Sequence, residues 1–180
     1  MSAGVSARDQ MSFRSAWFGL PAALLTVFAY AQANPDLEQC RAMTNNADLA
    51  IKHCTRAIGS GKLSAAERAQ AHRSRGAEWA NKGDFDRAIS DYDAALRIDP
   101  KLADAYHFRG SAWAHKGNPD RAIADFDAAL RLNPKDSGAL HARAVEWTVK
   151  GDYARALADY DLVLRLDPKT SGIHFSRGRT

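Results

Sequence analysis

Asn81–Pro100 reads NKGDFDRAISDYDAALRIDP, and the chain repeats the phrase as HKGNPDRAIADFDAALRLNP at His115–Pro134 and VKGDYARALADYDLVLRLDP at Val149–Pro168. Gly83, Gly117 and Gly151 are spaced by 34 residues, and so are Pro100, Pro134 and Pro168. A fixed period of this length marks stacked supersecondary units. Within each copy the apolar residues keep helical period: Ala88, Tyr92, Ala95 and Leu96, then Ala122, Phe126, Ala129 and Leu130, then Ala156, Tyr160, Val163 and Leu164. A first helix precedes each phrase, carrying Gly76 and Trp79, Gly110 and Trp113, or Ala144 and Trp147.

The boundaries have physical causes. Each repeated glycine can take the left-handed conformation that closes the first helix. Asp84, Asn118 and Asp152 follow as candidate N-caps of the second, with Pro119 at a first helical position where its missing N–H costs nothing. Arg97, Arg131 and Arg165 sit where the negative end of the helix dipole favours a cation, and the D/N-P-K segment then ends the helix.

With G-x2-W, A-x3-[YF] and the closing proline in order three times, the chain resembles the tetratricopeptide repeat family. The resemblance implies an all-α fold, a right-handed α-solenoid of antiparallel helix hairpins. It divides the chain into full repeats at 69–102, 103–136 and 137–170, a degenerate N-terminal hairpin at 34–68, and the start of a fourth repeat at 171–180. The sequence departs from the family in carrying Trp79, Trp113 and Trp147 where tyrosine is usual, and Arg75, Arg109, Arg143 and Arg177 where leucine is usual. The tryptophans are expected in the core by their helical phase. The arginines suggest an ion-pair ladder in which Arg109 reaches Asp91 or Asp93 of the preceding unit, and Arg143 reaches Asp125 or Asp127.

The first thirty residues differ in kind. Ala16–Ala31 (AWFGLPAALLTVFAYA) carries no charge and ends in small residues at alternate positions. It is shorter than the roughly 20 apolar residues that span a bilayer, so residues 1–31 read as a signal peptide cleaved after Ala31 or Ala33, with an uncleaved anchor as the alternative. Met11 is an alternative start. The expected location is periplasmic or secreted. The formal net charge is +4, of which Arg8, Asp9 and Arg14 supply +1. Without a clustered Lys/Arg stripe, this mild excess argues against nucleic acid, and no membrane partner is expected after cleavage.

Cys40 and Cys54 are the only cysteines. D48-LAIKHCTRA-I58 aligns with D86-RAISDYDAA-L96, which puts Cys54 where Tyr92 packs and leaves Asn34–Thr44 as a shortened first helix, turning at Asn45-Asn46. On one continuous helix the sulfurs would lie ~20 Å apart, whereas across a hairpin they can meet. In an oxidising compartment a disulfide is expected.

No phosphate loop, nucleophile elbow or H-E-x-x-H motif occurs, the Asp91 and Asp93 carboxylates recur with the repeat, and no cysteine or acid accompanies His107 and His141 as a metal site would require. Neither catalysis, cofactor nor metal is expected. The resemblance implies instead a concave face built from the first helices, showing Gln70, Arg73, Ala77 and Asn81, then Asp104, His107, Ser111 and His115, then His141 and Val145. Some family members clamp a carboxylate there with Lys and Asn. Arg73, His107 and His141, with Ala77, Ser111 and Val145, do not reproduce that clamp. The implied partner is a segment of another protein, and the alternative is self-assembly through an uncapped last repeat.

Overall fold

The computed structural model describes residues 34–42 and 46–167, and in them the chain is helical without strands. Eight helices follow in order: α1 (Pro35–Arg41), α2 (Ala47–Gly59), α3 (Ala65–Asn81), α4 (Phe85–Ile98), α5 (Ala103–His115), α6 (Pro119–Leu132), α7 (Ser137–Val149) and α8 (Tyr153–Leu166). They pair as hairpins, each packed on the next, giving an all-α solenoid. The expected leader at 1–31 and its expected cleavage sites, Arg177, Pro168, the expected start of a fourth repeat and the Thr44–Asn45 part of the first turn lie outside the described residues.

The sequence signals act where the period places them. Gly83, Gly117 and Gly151 have φ of 77°, 70° and 78°, a region costly for any residue with a Cβ. Asp84 and Asp152 cap the next helix by accepting from the backbone N–H of Arg87 and Arg155. Asn118 holds the cap position without a side-chain bond, and the fixed φ of Pro119 sets that start. α3 begins four residues before Ala69, because Ser64 and Glu67 form a reciprocal capping box that starts the helix early. The hydrogen bond from Ser64 holds the Glu67 carboxyl below its ordinary range.

In the α3–α4 and α5–α6 hairpins a glycine on the first helix lies close against an aromatic on the second. A Cβ on Gly110 would lie 2.9 Å from Phe126 Cε1 and 3.1 Å from the Ala122 carbonyl oxygen, and Gly76 meets Tyr92 and Ala88 in the same way. Tyr92 and Phe126 are accordingly among the largest fully buried side chains, and burial raises the Tyr92 hydroxyl pKa. The tryptophans depart from expectation: Trp79, Trp113 and Trp147 are half-buried at the core margin. The guanidinium of Arg87, Arg121 or Arg155 covers each ring at 4.4–4.5 Å, a cation–π contact that suits a ring with one wet face.

The N-terminal hairpin replaces bulk with a covalent link. Cys40 on α1 and Cys54 on α2 form a disulfide with a Cα separation of 4.6 Å. Together with Leu37 and Ala57 they bury against Ala71 of α3. Cys54 sits where the later hairpins place an aromatic, so the smaller side chain and its bond to Cys40 fill that space.

Candidate functional site

First helices of successive hairpins touch one another, α3 with α5 and α5 with α7, while second helices make no comparable contact with the next. Closer approach on one side curves a stack, so the first helices line the inner wall. Two ladders hold this curvature. Lys82, Lys116 and Lys150, each just past a first helix, pair with Asp48, Asp86 and Asp120 at the start of the preceding second helix.

The arginine ladder is the stronger, and its main partners are not the expected ones. Arg109 grips Asp125 of its own hairpin through Nε (2.8 Å) and Nη2 (2.6 Å), and reaches back with Nη1 to Asp93 at 2.5 Å. Arg143 does the same with Asp159 and Asp127. Arg75 grips Asp91 and reaches Thr55, which takes the Asp93 position in the N-terminal hairpin. Asp93 and Asp127 are therefore the inter-unit partners, whereas Asp91 and Asp125 serve the arginine of their own unit. The hydrogen bonds and charge of Asp125 and Asp159 push the Arg109 and Arg143 pKa values further up. Burial alone would raise the Asp91 carboxyl, but the hydrogen bonds and charges of Arg75 and His72 outweigh it and hold it low.

On the inner wall the residues expected from sequence fall into separate groups. Arg73 bonds Gln70 through Nε at 3.2 Å and lies 5.9 Å from the Phe108 ring, so it bridges α3 to α5. Ala77 is half-buried and Asn81 exposed, the latter donating to Glu78 at 3.3 Å. Asp104 is exposed at the start of α5. His107 is tied into the next hairpin, with Nδ1 3.4 Å from Asp136 Oδ2 and its ring edge-on to Phe126. The His141 ring lies 5.9 Å from Tyr160.

Ser111, His115 and Val145 come together. With Ala114, Ala142 and Glu146 they surround an open cavity of about 300 Å³ between α5 and α7, floored by Phe126. His115 is held by stacking on Phe85 at 4.8 Å, and Ser111 Oγ donates to the His107 carbonyl at 3.1 Å. Glu146 is the residue that sequence reasoning missed. It shares a repeat column with Ala112 and Glu78, so the sequence alone does not single it out; its burial beside the cavity does. Among the described residues no group of three or more His, Cys, Asp or Glu side chains could hold a metal ion, and no helix is long and apolar enough to cross a membrane.

The Tetratricopeptide repeat family pattern matches residues 41–103, 80–139 and 116–171. The chain belongs to the tetratricopeptide repeat family. No curated protein matches this member at a significant level. Among solved structures it is similar to the MamA protein at 18% identity (TM-score 0.71, 81% of this chain and 78% of that one). It is similar to the Arabidopsis OM64 TPR domain at 20% identity (TM-score 0.63, 64% and 96%). The second TPR domain of human RPAP3, solved in complex with an HSP70 peptide, is 23% identical (TM-score 0.62, 64% and 97%). At these identities the likeness establishes the shared repeat architecture.

Proposed function

We propose that this repeat protein is a non-catalytic scaffold that binds a segment of another protein along the inner wall of its first helices, in an exported compartment. The observation that carries the reading is the open cavity between α5 and α7, where Ser111, His115 and Val145 meet over Phe126. It lies on the wall that curvature leaves free for a guest. The RPAP3 domains, of the same fold, hold HSP90 and HSP70 peptides. Export is supported by the uncharged Ala16–Ala31 run and by a disulfide that an oxidising compartment would keep.

The test is selection of peptides from a random library on the full chain, followed by mapping of the footprint through backbone amide shifts. The expected footprint covers Ala77, Ser111 and Val145 on α3, α5 and α7. A footprint confined to α4 and α6, or no selected peptide, overturns the reading. For location, fusion of residues 1–40 to a reporter active only outside the cytoplasm is expected to give activity, and an inactive fusion contradicts export.

A further inference from the structure

Four carboxylate residues are buried in the described part of the chain: Asp91, Asp125, Glu146 and Asp159. The three aspartates each take a two-pronged guanidinium, from Arg75, Arg109 and Arg143. The Glu146 side chain, in a residue at 8% exposure, has no hydrogen bond or ion pair among the described residues. Burial pushes its carboxyl above the ordinary range, and the charge of His115 across the cavity pulls it back only in part. A buried acid whose carboxylate has no partner is costly, and the position does not require one. Ala112 fills it in the preceding unit at 1% exposure, while Glu78, in the unit before that, is only half-buried and accepts from Asn81.

The surroundings are shaped for what is missing. Ala114, Ala142, Val145 and Phe126 give the cavity apolar walls, which suit the methylene stem of a long cationic side chain. Ser111 spends its proton on the His107 carbonyl, so its oxygen lone pairs can accept from a guest N–H. We propose that the cavity between α5 and α7 is a subsite for one basic side chain of the bound segment, arginine above all, with Glu146 as its counter-charge. A guest guanidinium would give Glu146 the fork that Asp125 receives from Arg109, and such pairs fix geometry as well as charge. The subsite rests on the groove reading and names the chemistry of its guest.

The direct test titrates the isotopically labelled full chain with acetyl-arginine methylamide and with acetyl-citrulline methylamide, its uncharged near-isostere. Arginine is expected to shift the Glu146 carboxylate carbon and the Val145 methyls saturably. Citrulline, or arginine on Glu146→Gln, is expected to bind about tenfold more weakly or worse. Equal binding of the two probes, absence of a saturable shift at Glu146, or an unchanged arginine response in Glu146→Gln overturns the subsite. Should Glu146→Gln fail to fold, the arginine–citrulline comparison on the native chain decides alone. The library experiment separates this failure from failure of the groove. Peptides that map to the first helices without a basic residue at a fixed position sink the subsite and leave the groove standing, whereas no footprint there sinks both.

Discussion

Between α3 and α5 a large aromatic, Phe108, fills the inner seam, with Arg73 over its ring and Tyr92 stacked 6.1 Å behind it. Between α5 and α7 the matching position is Ala142, the residue behind it is Phe126, and the seam is an open cavity. The same exchange runs the other way one turn along, where small Ala112 gives way to Glu146. Repeats that share a framework can thus hold a plug at one step and a polar-ended slot at the next. Function in such a stack is decided by the departures from the repeat, and stability by what recurs.

Removing what recurs has the largest expected effect. Arg109→Ala strands Asp125 and Arg143→Ala strands Asp159, each buried carboxylate losing both prongs, at a cost of about 3–5 kcal/mol. Because both seams rest on the same framework, the two losses should match within about 1 kcal/mol in denaturant titrations. A large inequality would break the comparison. Loss of the disulfide in Cys40→Ser with Cys54→Ser is expected to cost about 3 kcal/mol, confined to α1 and α2, and hydrogen exchange there against α5–α8 checks it.

Phe108→Ala opens the closed seam. With 37% of the residue already exposed, the expected loss is about 1–2 kcal/mol, read from the denaturation midpoint. A smaller effect is expected from Glu146→Gln, and its sign depends on pH. The folded-state pKa of Glu146 is raised, so its stabilising contribution is complete below the unfolded value of about 4.3 and is lost as pH rises through the folded value. The substitution should therefore flatten a fall in stability between the unfolded and the folded value. Asp91, held low, does the reverse: its contribution is present above the unfolded value and is lost as pH falls through the folded one. Unfolding curves across acidic pH, with and without Glu146→Gln, separate the two. Asp93→Ala removes only the half-exposed backward arm of Arg109, so less than about 1 kcal/mol is expected.

The sequence made the hairpins legible because glycine, proline and the cap residues impose their geometry locally, and a 34-residue register repeats the signal. The expected ladder offered Arg109 only Asp91 or Asp93 of the preceding unit and so missed its main partner, Asp125. Asp93 and Asp125 lie 16 residues to either side of Arg109, so spacing alone does not choose between them. The structure shows that Arg109 takes both, with the two-pronged grip on its own hairpin. The tryptophans were misplaced in depth because helical phase fixes a direction and not a distance from water. The cavity was hidden because it is made by absence, an alanine where the neighbouring unit has Phe108. Glu146 carried no readable signal of its own, because its repeat column runs Glu78, Ala112, Glu146 and spacing does not say which acid is buried.

Ala142→Phe copies the closed seam into the open one and leaves the ladders, caps and hairpin contacts in place. The affinity of a library-selected peptide for this variant, measured by calorimetry against the native chain, is the most direct test. Filling of the slot should weaken the peptide by about tenfold or more while helical content and the unfolding midpoint stay close to native. Native affinity in a folded Ala142→Phe chain would contradict the claim that the guest enters between α5 and α7.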